Sequence, residues 1–177
     1  MNNVKITDIK VTLCDTRVKG NFADSTRQVE TIGFAVVEVE TNVGITGIGV
    51  TYHEVGGEAI REFIRHAIKP KFIGRNPFET EALYEETFHY MRGVGRKGLA
   101  FCAYSAVDIA LWDIKGKALG VPVYELLGGK TREKVRVYAS VMHLTEDNNE
   151  LAKQYQQLQE MGFTAAKIFC NGPVSAP

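Results

Sequence analysis

The chain has 177 residues, enough for one large domain or two small ones with a substantial apolar core. Apolar residues make up 45% and charged residues 24%, which is typical of an ordinary soluble globular protein. The 21 basic and 21 acidic side chains leave no net charge, which argues against a nucleic acid or an anionic membrane as a partner held by bulk charge.

The N-terminal segment and the cysteines favour the cytoplasm. MNNVKITDIK, at the start, has no apolar run of signal-peptide type, and no stretch approaches the roughly 18 apolar residues of a membrane span. Cys14, Cys102 and Cys170 form no CxxC pair, and each lies in an apolar stretch. Small buried thiols in a reducing compartment are the simplest interpretation.

The first 52 residues predict a three-stranded antiparallel meander. Apolar and polar residues alternate over 3–14 with one slip of phase, and a second β-rich run covers 29–40. A third run, 45–52, follows TNVG (41–44), which is typical of a hairpin turn. The aperiodic segment 15–28 between the first two strands is long enough for a functional lid. A glycine-hinged loop, HEVGG, follows the third strand.

Three helices are predicted after this meander. Apolar residues at helical spacing indicate the first helix, which Pro70 should end. Asn76 suits the N-cap and Pro77 the first turn of the second helix, expected over 77 to about 91. The third helix, 98 to about 119, carries alanines along one face, which would let that face approach a neighbour closely.

The remaining residues predict a βαβ unit. The runs 135–141 and 163–169 are continuously apolar, as in parallel strands covered on both faces, and an amphipathic helix separates them. Two parallel strands bury little and present open edges, so this unit needs more chain or a partner. We expect an α+β domain over 1–125, followed by an incomplete β-α-β segment over 130–177.

Several chemically suggestive residues have simple structural interpretations. GVGRKG (93–98) matches a dinucleotide-binding pattern, but a helix precedes it where a strand is needed, so an interhelical turn with a basic tip is favoured. Asp108 and Asp113 suit hydrogen bonds in helix packing, and Trp112 suits the core. No pair of histidines has ligand spacing on one helix, so no metal site is assigned.

Three residues are open to a functional interpretation as well as a structural one. His53 lies beside Tyr52 at the glycine-hinged loop, where a substrate contact would fit. His143 follows the first covered strand, at the end where barrel enzymes place their chemistry. Lys167 lies within an apolar run, which suits either a structural ion pair or a base whose pKa is lowered by desolvation or a nearby cation.

A dense run of motif residues lies over 103–128, which reads AYSAVDIALWDIKGKALGVPVYELLG. Its ALWDIKGK core, the proline at 122 and the LLG at its end have the spacing of a family signature. The run resembles the signature of the mandelate racemase and muconate lactonizing enzyme group of the enolase superfamily. The meander, the GITGIG strand and the Asn-Pro helix start are also similar to the N-terminal capping domain of that group.

The resemblance implies a capping α+β domain over the C-terminal mouth of a (β/α)-barrel. Two capping loops, here 15–28 and 51–57, would close the site and select the substrate. The candidate substrate-binding residues in these loops are Asp24, Arg27, Tyr52 and His53. Mg²⁺, held by carboxylates on the third, fourth and fifth barrel strands, would stabilise an enediolate formed by removing the proton α to a carboxylate. Those strands are not among these residues, so no metal ligand is assigned.

Lys167 is the candidate catalytic residue. Many members of the group carry Lys-x-Lys on the second barrel strand, and here Lys167 matches the first lysine while Phe169 takes the place of the second. Because phenylalanine cannot accept a proton, the resemblance favours the acid-sugar dehydratase branches over a racemase or a cycloisomerase. Lys167 would then stabilise charge near the substrate carboxylate.

A full member of the group would be about twice as long, since the barrel alone takes roughly 250 residues. We therefore expect a fragment of a Mg²⁺-dependent enzyme acting on an acid-sugar carboxylate, inactive by itself and homo-oligomeric when intact. The alternative is a truncated, non-catalytic assembly module that associates through the strand edges at 135–141 and 163–169.

Overall fold

The computed structural model describes residues 3–19, 29–53, 55–140 and 147–167. Of the residues discussed above, Asp24, Arg27, His143, Phe169 and Cys170 lie outside this described part. The chain divides into two compact units, one formed by Met1–Thr16 with Ile32–Lys130 and the other by Arg17–Thr31 with Thr131–Pro177.

The predicted antiparallel meander is confirmed. Strands β1 (Ile6–Arg17), β2 (Thr31–Thr41) and β3 (Thr46–His53) form one sheet in the order β1-β2-β3. Strands β2 and β3 are antiparallel, with Glu40 opposite Thr46 near the turn and Gly33 opposite His53 at the far end. The sequence placed 15–17 in a loop, whereas these residues complete β1.

The hairpin between β2 and β3 is closed by Thr41 and Gly44. Gly44 takes a positive φ of 78° and donates its N–H to the Thr41 carbonyl at 3.2 Å. The Thr41 hydroxyl accepts from the N–H of Ile45 at 3.1 Å and donates to the Ile45 carbonyl at 2.7 Å. The turn fixes the register of the hairpin and therefore decides which side chains face the helices.

The core of the first unit lies between this sheet and its helices. Buried residues of β2 alternate along the strand, and those of α4 (Leu99–Leu119) recur at helical spacing. The largest fully buried side chains in this unit include Ile6, Ile64, Ile68, Leu83, Met91, Leu111 and Ile114. Helix α4 runs over 99–119 as predicted and ends at Gly120, which has a left-handed φ of 68°.

The prediction that Pro70 ends the first helix is wrong. Helix α1 (Gly57–Phe63) continues through a π-helical turn, Ile64–Ile68, into α2 (Lys69–Phe72), so helical backbone passes through the proline. Pro70 lies in the first turn of α2, where a missing N–H costs least. The wider π turn just before it accommodates the proline ring, and Phe72 beyond it is buried in the core.

The start predicted for the second helix is also wrong. Helix α3 (Thr80–Tyr90) begins after Glu79, three residues later than expected. Asn76 instead caps a separate turn, in which its Oδ1 accepts from the N–H of Phe78 at 3.0 Å and its carbonyl from the N–H of Glu79 at 3.2 Å. A cap-and-proline pattern is shared by isolated turns and helix starts.

Two short elements flank α4. A 3₁₀ turn, Met91–Gly93, precedes the GVGRKG segment, and α5 (Val123–Leu126) follows Pro122. The basic turn predicted for GVGRKG is confirmed: Gly95 and Gly98 have positive φ, and Arg96 donates its Nε–H to the Phe88 carbonyl at 2.9 Å.

In the second unit, α6 (Asn148–Glu160) begins as predicted at a cap, since Asp147 accepts from the N–H of Asn149 at 2.8 Å. The parallel pairing is present at one point, where Ala139 bridges Ala166. The expected strands covered on both faces are otherwise not formed in the described residues. Val135, Val137 and Tyr138 are 69%, 61% and 58% exposed. One described helix cannot cover both faces of a parallel pair.

No helix in the described part of the chain combines the length and the apolar character needed to cross a membrane.

Candidate functional site

The candidate site of the first unit is a row of three residues across one end of the sheet. Gly33 on β2 lies opposite His53 on β3, and Asp15 lies near the end of β1. His53 Nε2 is 3.5 Å from Asp15 Oδ1. The imidazole therefore reaches from the third strand over the glycine of the middle strand to the carboxylate of the first.

Two glycines make room for the imidazole of His53. A Cβ atom on Gly33 would overlap Cε1 of the ring and lie 2.6 Å from Nδ1. A Cβ atom on Gly57, at the start of α1, would lie 2.6 Å from Cε1 and 2.7 Å from Nε2. Neither glycine has a positive φ, so it is the ring, rather than the backbone conformation, that excludes a side chain at both positions.

The imidazole of His53 is buried, and its two nitrogens lack hydrogen-bond partners among the described residues. Its side chain is 5% exposed, whereas that of Asp15 is 55% exposed. Neither ring nitrogen has a hydrogen-bond partner among the described residues, because 3.5 Å to Asp15 is too long for an ordinary N–H···O bond. A buried polar group in this state calls for an explanation, such as stored strain, a catalytic role, or a bound water or ion.

Tyr52, the other described loop candidate, faces away from His53. Successive side chains of a strand point to opposite sides, so Tyr52 lies on the outer face of the sheet, where it is 45% exposed. Its ring contacts Phe34 edge to face, with the ring centroids 6.0 Å apart. The sequence grouped Tyr52 with His53, and the structure places their side chains on opposite faces of β3.

Lys167 belongs to the second unit, and its side chain is exposed. Its backbone N–H donates to the Ala139 carbonyl at 2.7 Å, one of the two hydrogen bonds that form the Ala139–Ala166 bridge. The apolar run around it left a structural ion pair and a desolvated base both open, and the described residues do not bury its side chain.

A second polar cluster lies on α4. Burial raises the pKa of Asp108, opposed by a hydrogen bond from the Tyr104 hydroxyl at 3.4 Å. Burial lowers the pKa of Lys115, whose Nζ donates to Thr80 Oγ1 at 2.8 Å. The same burial, with the Asp108 charge, raises the pKa of Tyr104. The Lys115–Thr80 bond joins α4 to α3, whereas the Asp108–Tyr104 bond lies within α4, so the interhelical role expected for Asp108 stays a prediction.

A groove of about 540 Å³ lies beside this cluster, lined by Ile48, Asp108, Ile109, Trp112, Asp113, Val123 and Leu127. Asp113 accepts from the N–H of Ile48 at 2.7 Å and from Lys117 Nζ at 2.7 Å, which joins α4 to β3 as expected. Trp112 is half-buried at the groove, so its assignment to the core is wrong. Cys14, also expected to be buried, is exposed.

The described residues do not fit the magnesium ion that the resemblance implies. They contain no group of three or more His, Cys, Asp or Glu side chains that could hold a metal ion. Asp15 and His53 alone supply one carboxylate and one imidazole, fewer than the oxygen ligands Mg²⁺ requires. The row can orient a side chain and hold a proton, and no step through a metal follows from it.

Residues 7–128 match the family model described as mandelate racemase / muconate lactonizing enzyme, N-terminal domain. The chain belongs to this family. The matched span contains the whole Asp15–Gly33–His53 row, so the row is part of the family's N-terminal domain.

Curated members of the mandelate racemase / muconate lactonizing enzyme family extend the match beyond that domain. The chain is 33% identical over 177 residues to the D-xylonate dehydratase of Haloferax volcanii, covering 98% of this chain and 38% of the relative. It is 31% identical over 168 residues to the D-galactarolactone cycloisomerase of Agrobacterium fabrum, covering 93% and 44%.

Solved structures agree. A racemase from Streptomyces coelicolor A3(2) with bound magnesium superposes with a TM-score of 0.87 at 29% identity, covering 95% of this chain and 47% of the racemase. The chain spans less than half the length of each of these three proteins. Its similarity includes a dehydratase, a cycloisomerase and a racemase, so family membership alone does not decide the reaction.

Proposed function

We propose that the chain is the capping domain, over 1–125, and the first barrel segment, over 130–177, of an enzyme that dehydrates an acid sugar. The observation that carries this proposal is the 33% identity to a D-xylonate dehydratase over nearly the whole chain. The reaction would begin by removing the proton α to the carboxylate and end with loss of a hydroxyl as water. A bound Mg²⁺ would supply Lewis-acid stabilisation of negative charge, and its ligands would come from other residues, since the described ones contain no group of side chains that could hold it.

Lys167 is the residue proposed to act at the substrate carboxylate. A lysine ammonium near that group offsets the charge that develops when the α-proton leaves. Phe169 stands two residues on, where a second lysine would serve as base, and its side chain cannot accept a proton. This absence supports dehydration by a base from elsewhere in the enzyme over lysine-based racemisation.

Substrate selection is proposed for the segments 15–28 and 51–57. Both adjoin the same end of the sheet, because β1 ends at Arg17 and β3 at His53. The side chains proposed to take part are Asp24, Arg27, Tyr52 and His53. Polar side chains of this kind suit the several hydroxyls of an acid sugar, since each hydroxyl can both donate and accept.

The proposal is tested by assaying the 177-residue chain and the longest protein that its gene encodes. Both would be incubated with Mg²⁺ and a panel of aldonates and aldarates, and the 2-keto-3-deoxy acid product measured as its semicarbazone. We expect product from the longer protein only. Lys167→Met should lower its turnover by about 100-fold, and Lys153→Met, at an exposed position on α6, should leave it unchanged.

Racemase or cycloisomerase activity is the second candidate, because the A. fabrum cycloisomerase is nearly as similar as the dehydratase. Neither reaction makes a keto acid. Substrate whose stereochemistry or ring form changes without a carbonyl product would therefore reject dehydration and support this candidate. Keto acid from the 177-residue chain alone would instead reject the proposal that the chain is inactive by itself.

We also propose that the intact protein forms homo-oligomers. The 177-residue chain by itself would then be a non-catalytic module that self-associates. The exposed apolar side chains of Val135, Val137 and Tyr138 support this, since water-exposed strand edges favour pairing. Light scattering of the chain should show mass rising with concentration. Val137→Lys should reduce it, and Val43→Lys, at a hairpin position that is 51% exposed, should not. A strictly monomeric chain would contradict this.

The cytoplasm remains the proposed location. Cys14 and Cys102 carry free thiols, which suits a reducing compartment.

A further inference from the structure

We propose that Asp15 and His53 form a latch that fixes the end of β1 to the end of β3 across the middle strand. The latch would hold the last residues of β1 and β3 at a fixed distance from each other. Its use in substrate selection rests on the proposed function, whereas the contact itself rests on geometry alone. Both residues are positioning residues in this proposal.

The first observation is the arrangement of strands. Asp15 and His53 lie on the two outer strands of a three-stranded sheet, which have no backbone hydrogen bonds to each other. A side chain that spans the middle strand is therefore the direct way to couple the two ends. Gly33, opposite His53, leaves the space through which the imidazole crosses.

The second observation is the pairing of a buried imidazole with an exposed carboxylate. Nε2 is the ring nitrogen beside Asp15, so the carboxylate favours the tautomer that carries its hydrogen on Nε2. The Asp15 side chain is 55% exposed. A movement of roughly 0.5 Å would bring the two atoms to ordinary hydrogen-bond distance. The two side chains are therefore within a small movement of forming the hydrogen bond that would close the latch.

The third observation supplies a reporter for the latch. Beyond Asp15, the Val18 N–H donates to the Glu30 carbonyl at 2.9 Å, which pairs the two ends of the 17–31 segment. At the other end of the same two strands, the Asn42 N–H donates to the Lys5 carbonyl at 3.0 Å. Loss of the latch should weaken the first bond and leave the second intact.

The test is NMR spectroscopy of the ¹⁵N-labelled 177-residue chain, with Asp15→Ala as the main variant. The ring ¹⁵N shifts of His53 should show the Nε2–H tautomer in the original chain. Asp15→Asn keeps an acceptor oxygen and should preserve that tautomer, whereas Asp15→Ala should remove the preference. Thr16→Ala, the matched control at the next exposed position, should leave the ring signals unchanged.

Amide hydrogen exchange measures whether loss of the Asp15–His53 contact loosens the backbone beyond β1. Asp15→Ala should speed exchange of the Val18 amide by about threefold or more, with no change at Asn42. Unchanged His53 tautomer and unchanged Val18 exchange in Asp15→Ala would overturn the latch. Acceleration at both amides would also overturn it, since the variant would then have loosened the whole sheet.

Two neighbouring glycines provide a second test that leaves both latch residues in place. Gly57→Ala should push the ring away from Asp15, because its Cβ would lie 2.6 Å from Cε1. Gly56→Ala should leave the His53 ring and Val18 exchange unchanged, because the nearest atom to its Cβ is 3.8 Å away on Leu99. We expect Gly57→Ala to reproduce the Val18 effect of Asp15→Ala, and equal behaviour of the two glycine variants would count against the latch.

These measurements need neither substrate nor turnover. A latch seen by NMR in a protein that converts no acid sugar would reject the proposed function alone. Turnover of an acid sugar by the longer protein, with no response of His53 or Val18 to Asp15→Ala, would reject the latch alone.

Discussion

The carbonyl oxygen of Ala106 on α4 occupies the space that a side chain on Gly49 of β3 would need. The same relationship joins Ala110 to Gly47. Four residues of helix rise about 6.0 Å and two residues of strand about 6.6 Å, so the two contacts stay in register when helix and strand run antiparallel. Helix and strand therefore meet backbone to backbone, and this contact sets the spacing between sheet and helix.

We predict that Gly49→Ala destabilises the first unit by about 3 kcal/mol, since its Cβ would overlap backbone that cannot move independently. Urea unfolding followed by the fluorescence of Trp112, the only tryptophan, measures this effect. Gly93→Ala is the control: its Cβ meets nothing within 4 Å, and we expect a change within about 0.5 kcal/mol. Equal stability of the two variants would contradict the close approach.

The alanine face of α4 predicts that the helix approaches a neighbour closely, but not which residues of the neighbour it contacts. Small residues at helical spacing in the sequence predicted a face that approaches its neighbour closely, and the structure confirms it. Gly47 and Gly49 of β3 supply the other half of the contact. Their pairing with particular alanines depends on the register of helix against strand, which no local pattern contains.

A second prediction concerns Asp108. Burial raises the pKa of this carboxyl in the folded chain, so the folded state binds its proton more tightly than the unfolded state does. Its ionisation therefore costs stability above the raised pKa. The cost disappears as the pH falls below the ordinary value of 3.8. Asp108→Asn should raise the Tm by roughly 2 °C or more at neutral pH, and the gain should shrink in acid.

Asp113→Asn is the matched control for Asp108. Asp113 accepts hydrogen bonds from Ile48 and Lys117, so removing its charge should weaken favourable contacts and lower the Tm. Thermal unfolding of both variants at neutral pH and below pH 3.8 tests the pair. A Tm lowered at neutral pH by Asp108→Asn, as by Asp113→Asn, would show that burial does not dominate at Asp108.

Only part of the candidate site could be predicted from the sequence. The hairpin turn at TNVG fixes which residues of β2 and β3 face each other, so the pairing of Gly33 with His53 follows once the turn is placed. Asp15 was missed because it was assigned to an aperiodic loop. A long connection between β1 and β2 carries no register information, so its place beside His53 could not be inferred.

The failures at Pro70 and in the second unit have different physical causes. A proline stops an isolated helix, but core burial of Phe72 holds helical backbone beyond it, so tertiary packing overrides the local rule. Apolar runs predicted covered strands at 135–141 and 163–169, but burial depends on what other elements supply. The described residues pair these runs only at Ala139 and Ala166.

The last prediction concerns the ion pair between Arg75 and Glu86. The guanidinium donates to both carboxylate oxygens, at 2.6 and 2.9 Å, and ties the turn before α3 to the helix. Hydrogen bonds from Arg75 lower the pKa of Glu86. A lowered pKa means that the stabilisation is present above the ordinary value of 4.5 and is lost as the pH falls through the lowered pKa.

Glu86→Gln should therefore lower the Tm by about 1–3 °C at neutral pH, and less in high salt, because exposed ion pairs are weak and screened. Once the pH is below the lowered pKa, the variant and the original chain should melt together. Glu85→Gln, exposed at the preceding position of α3, is the control and should change the Tm little at either pH. A Glu86→Gln deficit that persists undiminished in acid would assign the effect to packing of the side chain, and not to its charge.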